Sequence, residues 1–144
     1  MKLVDTNVWL ALALSGHDHH ASARDWVQTE TNSGELLFCR STQQSFLRLL
    51  TTAAIFKPFG NPVLTNAEAW GGYQGLLNDR RLGFAQEPAG LEDCWKRLVL
   101  RDAASPKLWM DAYLAAFAIS GGYQLVTTDQ AFRQFDALDS LILT

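Results

Sequence analysis

Apolar positions along the chain form short continuous runs that alternate with longer stretches in which apolar residues recur at helical spacing. The short runs lie near Val4 and at positions 36–39, 82–85, 124–127 and 141–143. Uninterrupted apolar runs of this length are typical of strands in parallel sheets, which are buried on both faces. The pattern therefore predicts five short buried strands.

The stretches between these runs have the apolar period of amphipathic or buried helices. We predict a helix after a Ser41 or Thr42 cap and another from the capping box at Thr65 to about Asn78. A further helix should begin at Ser105–Pro106. The remaining predicted helices cover 8–14, 21–31 and 91–103, with a short one around Phe132, and a loop covers 57–62.

Strands that alternate with helices indicate an α/β fold, a central parallel β-sheet flanked by α-helices on both faces. The chain has 144 residues and no repeat or linker, so we expect a single domain over residues 1–144. Asp5 interrupts any N-terminal signal sequence, and no apolar run approaches a membrane span. We therefore expect a cytoplasmic protein with no membrane contact.

Net charge and cysteine content exclude only a few classes of function. The net charge is −3, which argues against a globally basic nucleic-acid binder, so any nucleic-acid contact must come from a local basic patch. The two cysteines, Cys39 and Cys94, lack the spacing of metal ligands or of a disulfide framework.

Three aspartates stand at positions where an α/β sheet binds ligands. Asp5 and Asp129 directly follow predicted strands, and Asp111 lies about one and a half turns into the helix predicted from Ser105–Pro106. Clustered carboxylates repel each other, and a hard cation such as Mg²⁺ converts that repulsion into ligation. Each acid taken alone could equally cap a helix. Together they make an acidic metal site plausible.

Four segments resemble motifs of the PIN-domain family, in the family's order. Residues 3–12 resemble its opening motif, residues 111–118 its central helix and residues 125–132 its last motif, while residues 45–51 resemble a helix of the VapC-like toxin branch. The resemblance covers essentially the whole chain. It implies a PIN-like fold and a Mg²⁺- or Mn²⁺-dependent endoribonuclease that acts as the toxin of a type II toxin–antitoxin pair.

The resemblance also implies roles for individual residues. Asp5, Asp111 and Asp129 match the family's metal-site acids, and Asn7 and Thr128 match positions that support them by hydrogen bonds. The implied partners are an RNA substrate, a cognate antitoxin and a second copy of the chain in a homodimer.

The chain departs from the family pattern at Gln43, where a glutamate is usual. An amide oxygen can orient a water or the substrate but brings no charge, so we assign Gln43 a catalytic role and expect one well-held metal ion. Arg48 lies about one turn further along the helix and is the first candidate for an RNA phosphate contact. Among the tryptophans, most of which suit core or dimer packing, Trp70 is the most plausible surface contact.

Two alternatives remain open. The first is a PIN fold with weakened catalysis that acts as an RNA- or partner-binding module, and Gln43 is its support in the sequence. The second is a phosphotransfer enzyme with a nucleophilic Asp5. Such haloacid-dehalogenase-like enzymes need another acid two residues later, where this chain has Asn7.

Overall fold

The strands form one parallel sheet in the order β3-β2-β1-β4-β5. The structure is a computed structural model that describes residues 1–144. The strands are β1 (Lys2–Val4), β2 (Leu36–Phe38), β3 (Leu82–Phe84), β4 (Gln124–Thr127) and β5 (Ser140–Ile142). The predicted five-stranded α/β architecture is confirmed.

Seven α-helices and two 3-10 helices connect the strands. The α-helices are α1 (Thr6–Ala13), α2 (His20–Thr29), α3 (Arg40–Leu50), α4 (Ala53–Phe56), α5 (Asn66–Leu77), α6 (Leu91–Val99) and α7 (Leu108–Gly121). The 3-10 helices cover Lys57–Phe59 and Gln130–Gln134. None of these helices has both the length and the apolar character needed to span a lipid bilayer.

The sheet separates two apolar cores, because successive side chains of a strand point to opposite faces. Val4 packs with Trp9, Phe38 and Phe46 in one core, whose centre is the stacked pair of Trp9 and Phe38 rings, 4.0 Å apart. Leu3 belongs to the other core, which α6 and α7 cover. Helices therefore shield both faces, as a parallel sheet requires.

Several details of the predicted elements were wrong, among them the end of the helix predicted over 91–103, which stops at Val99. Helix α3 is capped by Cys39 and not by Ser41 or Thr42: the Cys39 backbone is extended, and its N–H donates to Thr42 Oγ1 at 2.9 Å. Helix α7 begins at Leu108, since residues 105–108 first form a turn closed by Leu108 N–H and the Ser105 carbonyl. Segment 57–62, predicted as a loop, begins with the 3-10 helix Lys57–Phe59.

The order of the strands creates a crevice beside β1. The chain runs from β1 outwards to β2 and β3, and later returns to the other side of β1 as β4 and β5. At such a switch of direction, the loops that leave the carboxyl ends of adjacent strands diverge and leave a ligand-binding crevice. Val4 pairs with Val126, so Asp5 emerges next to Thr127.

Candidate active site

The crevice contains a cavity of about 420 Å³, and all three predicted acids line it. Asp5 follows β1, Asp129 follows β4, and Asp111 lies in the first turn of α7. Because α7 starts later than the sequence suggested, Asp111 lies closer to the helix N-terminus than predicted. The fold thus brings Asp5 together with two carboxylates that are more than 100 residues away from it in the chain.

Asp5 is anchored through both carboxylate oxygens. Its Oδ1 accepts from the Thr6 N–H at 2.7 Å, which caps α1, and its Oδ2 accepts from the Thr127 hydroxyl at 2.6 Å. Burial raises the pKa of Asp5 to about 6, and the negative charges of Asp129 and Asp111 add to the rise. The two hydrogen bonds favour the charged carboxylate and oppose these effects. The three acids therefore repel one another across one cavity.

A hydrogen-bond network joins β4 to the start of α1. Thr127 Oγ1 also accepts from the Asp129 N–H at 3.1 Å and from Asn7 Nδ2 at 3.4 Å. The Asn7 Oδ1 atom in turn accepts from the Thr128 N–H at 3.2 Å. The predicted supporting position of Asn7 agrees with this geometry, but the hydroxyl that bonds Asp5 belongs to Thr127 rather than to Thr128.

The alternation of side chains along β4 could have identified Thr127 as the residue that bonds Asp5. Thr127 is the last residue of β4, is fully buried and lies beside Asp5 in the parallel register, whereas Thr128 contributes its backbone N–H. A buried threonine hydroxyl needs a hydrogen-bond partner, and the neighbouring carboxylate supplies it.

Lys107, which the sequence analysis did not assign to the metal site, connects the other two acids. Its Nζ atom donates to Asp111 Oδ2 at 3.0 Å and to Asp129 Oδ2 at 3.2 Å, while 71% of the side chain stays exposed. The hydrogen bonds to Asp111 and Asp129 raise the pKa of Lys107, so the ammonium stays charged. Its position four residues before Asp111 on α7 was the available signal.

The side chains present suit a hard divalent cation. Carboxylate oxygens are the preferred ligands of Mg²⁺ and Mn²⁺, and a cation already lies between two of the acids in the form of the Lys107 ammonium. No three acidic, histidine or cysteine side chains are close enough to form a ready-made metal cluster. A divalent ion held by all three acids would therefore require these side chains to approach one another more closely.

Helix α3 presents a polar face to the cavity, but Gln43 is not on it. Ser41, Ser45 and Arg48 line the cavity at helical spacing. Gln43 is buried outside it, and its Oε1 accepts from Arg40 Nη1 at 2.6 Å. This placement does not support the catalytic role predicted for Gln43. Ser41 and Ser45 were missed, although their spacing from Arg48 is visible in the sequence.

Arg48 and Trp70 lie together at the edge of the site. Arg48 is exposed and lines both the acidic cavity and a neighbouring cavity of about 300 Å³. Trp70, on α5, lines only the neighbouring cavity. Arg48 therefore supplies a cationic group directly beside the three acids, where an anionic ligand would enter.

Known proteins are similar to this chain in sequence and in fold. The family model for the PIN domain matches residues 2–138. Ribonuclease VapC41 of Mycobacterium tuberculosis is 52% identical over 144 residues, which are 99% of each chain. Among solved structures, Mycobacterium tuberculosis VapC20, a Sarcin-Ricin loop cleaving toxin, superposes with a TM-score of 0.63 at 20% identity over 93% of this chain and 94% of that one. VapBC-1 from nontypeable Haemophilus influenzae superposes with a TM-score of 0.65 at 16% identity over 98% of this chain and 96% of that one.

Proposed function

Since this chain belongs to the PIN-domain family and to its VapC ribonuclease branch, we propose that it hydrolyses RNA phosphodiester bonds at the acidic cavity. The observation that carries the proposal is the convergence of Asp5, Asp111 and Asp129 on one cavity at the carboxyl edge of the sheet. The protein acts as the toxin of a toxin–antitoxin pair, and a cognate antitoxin is its protein partner.

We assign Asp5, Asp111 and Asp129 to one Mg²⁺ or Mn²⁺ ion. When bound, such an ion supplies charge stabilisation to a phosphate and activation of a water molecule. Thr127 holds Asp5 through the 2.6 Å hydrogen bond and thereby keeps one oxygen of the carboxylate in a fixed direction. The three acids offer only oxygen ligands, which favours hard ions such as Mg²⁺ and Mn²⁺ over softer metals.

The basic side chains around the cavity bind the RNA, although the net charge of the protein is −3. Arg48 lines the cavity and is exposed, so it can pair with a phosphate next to the one that is cut. Asp111 and Asp129 would hold the ion in place of the Lys107 ammonium, which would then be free to bind the substrate. The half-buried hydroxyl groups of Ser41 and Ser45 on α3 offer neutral hydrogen-bond donors.

We also propose that the chain works as a homodimer in a cytoplasmic setting. Membership of the PIN-domain family and its VapC ribonuclease branch supports this proposal.

The test is cleavage of purified total RNA, with end mapping, by the wild type and by Asp5→Asn in Mn²⁺ and in EDTA. Asp25→Asn is the matched control, because Asp25 is an exposed aspartate on α2 whose partner is the adjacent Arg24. We expect discrete cuts by the wild type and by Asp25→Asn in Mn²⁺, and none by Asp5→Asn or in EDTA. Equal cleavage by Asp5→Asn would refute the assignment of the acids. No cleavage by any variant would favour the binding module.

A further inference from the structure

The acidic cavity adjoins a second cavity of about 360 Å³, for which the proposed chemistry gives no role. Ser41 and Met110 line both, so the two are separated only by a ridge of side chains. Lys107, just before α7, and Asp111, on α7, face the acidic cavity, whereas Trp109 and Tyr113 face the second one. Successive residues of a helix are rotated by about 100°, so these pairs lie on different faces. Met110 lies between these two faces.

The second cavity has an aromatic wall that is exposed and yet held in place. Trp109 is 55% exposed, and Trp95 Nε1 donates to the Trp109 carbonyl oxygen at 2.9 Å. The Trp95 ring packs edge to face against the rings of Trp109 and Tyr113, with ring centroids 6.1 Å and 5.6 Å apart. An indole that is supported from one side and open on the other is a surface on which a planar group can stack.

Polar groups surround this aromatic wall. The Tyr113 hydroxyl donates to Glu87 Oε2 at 3.0 Å, and burial followed by this hydrogen bond raises the pKa of Tyr113, so the phenol stays neutral. Arg40 lies with its guanidinium 4.9 Å from the centre of the Phe84 ring and brings positive charge to the rim. Gln44 is exposed on α3 and offers both a donor and an acceptor.

We propose that this cavity binds an unpaired nucleobase of the RNA strand whose phosphate lies at the acids, and that the base stacks on Trp109. The inference rests on the proposed ribonuclease function. It follows from the continuity of the two cavities, since a strand that crosses the Met110 ridge places a phosphate on one side and a base on the other. Sequence-selective proteins commonly bind RNA in this way, with splayed bases on aromatic side chains and polar groups at the base edges.

The proposal makes the second cavity a determinant of which RNA is cut. Gln44 and Glu87 can distinguish bases by their hydrogen-bonding edges, while Arg40 neutralises an adjoining phosphate. Trp70, the tryptophan that the sequence favoured, lies in a different cavity beside Arg48. No sequence pattern distinguishes Trp109 from the other tryptophans, because its neighbours in the fold come from α3 and α6.

The experiment measures the affinity of a fluorescein-labelled single-stranded oligoribonucleotide that spans a mapped cut site, in an Asp5→Asn background that prevents cleavage. Trp109→Ala should weaken binding about 10-fold to 100-fold, the usual effect of losing one stacked base. Trp109→Phe keeps an aromatic face and should stay within a few-fold of the parent. A matching oligonucleotide with one abasic position should bind the parent as weakly as the intact one binds Trp109→Ala, and the two losses should not add.

Three results would overturn the proposal. The first is an unchanged affinity of Trp109→Ala, and the second is full additivity of the abasic and Trp109→Ala losses at every position. The third is a shift of Trp109→Ala to a smaller oligomer in light scattering with unaltered RNA affinity, which would make this wall a protein interface. If the wild type cuts RNA but Trp109→Ala binds normally, only this inference fails. If the wild type cuts no RNA, the proposed function fails instead.

Discussion

The two edges of the sheet carry charged residues in opposite arrangements. At the amino edge, Lys2 pairs with Glu30 at 3.0 Å and with Glu35 at 3.6 Å, and Arg81 pairs with Asp79 at 2.6 Å. At the carboxyl edge, three aspartates line one cavity, and only Asp111 and Asp129 pair with a lysine, the exposed Lys107. One edge is neutralised by its own side chains, whereas the other has an excess of negative charge.

This difference separates charges that stabilise the fold from charges kept for a ligand. Arg81 also donates to the carbonyl oxygens of Val27 and Glu30 at 2.7 and 3.1 Å, so it closes the end of α2. The charged form of Asp5 contributes little to the stability of the fold, because burial and two like charges raise the pKa of this carboxyl group. Groups held in an unfavourable electrostatic environment within a cleft are candidates for function. The following predictions test the contrast.

The largest expected effect is the stabilisation of the carboxyl edge by metal. Saturating Mn²⁺, at about 100 times its dissociation constant, should raise the free energy of unfolding by about 2.7 kcal/mol. Asp5→Asn should lose most of this gain. Thermal melts with and without EDTA measure it, and an equal metal-induced shift in Asp5→Asn would contradict the assignment of that edge to a cation.

Arg81→Met should lower the free energy of unfolding by about 1–3 kcal/mol, since two backbone carbonyls and one carboxylate lose their donor. Urea denaturation measures the loss, and Arg81→Lys, which retains the charge but not the fork of donors, should recover only part of it. RNA cleavage at low temperature should be unaffected. If a stable Arg81→Met protein lost cleavage selectively, Arg81 would have a role in activity, and the assignment of the amino edge to stability alone would be wrong.

Lys107→Met should bind Mn²⁺ about 2-fold to 30-fold more tightly than the wild type, because the ammonium no longer competes through two exposed ion pairs. Titration calorimetry measures the affinity independently of activity. Lys107→Arg retains the positive charge and is the control. Weaker Mn²⁺ binding by Lys107→Met would mean that Lys107 orders the site rather than competing for it.

Arg48→Ala should weaken RNA binding to a similar extent for all sequences and reduce the slope of log affinity against log salt by about one unit, as expected for one phosphate contact. Fluorescence anisotropy at several salt concentrations measures the slope. Arg24→Ala, on the exposed surface of α2, is the matched control. An unchanged slope for Arg48→Ala would remove Arg48 from the RNA-binding surface.

The smallest effect concerns Asp79. The hydrogen bonds from Arg81 lower the pKa of Asp79 to about 2, so the pair stabilises the fold above the ordinary pKa of 3.8 and this gain disappears as the pH falls towards 2. Asp79→Asn should lose about 1 kcal/mol or less near pH 6, given the partial exposure of the pair. The difference from wild type should shrink below about pH 4 in denaturation experiments. A difference that grows on acidification would contradict the sign of this effect.

Much of the fold was predictable because its signals are local. The capping box of Thr65 and Glu68 starts α5 where it was predicted, and the apolar runs mark all five strands. The start of α7 was misjudged, since the turn at residues 105–108 uses the same Ser-Pro pair that commonly begins a helix. The single domain over residues 1–144 stays a prediction.

The candidate site was predictable in part. Asp5 and Asp129 were assigned from their positions after strands, Asp111 from its position early in a helix, and all three from family motifs, and they do line one cavity. Gln43 was assigned by alignment alone, which does not reveal that its side chain turns away towards Arg40. Thr127, rather than Thr128, bonds Asp5 because the parallel register of β1 and β4 sets the last strand residue beside it.

The sequence by itself determined the elements of the fold and the chemical type of the site, since apolar period, caps and acids after strands act over a few residues. Only the tertiary structure decided which side chains meet across the crevice. Lys107 between two acids, Thr127 on Asp5 and Trp109 beside the acidic cavity depend on how β4, α3, α6 and α7 pack. Such contacts join residues far apart in the chain, and no local pattern encodes the distances between them.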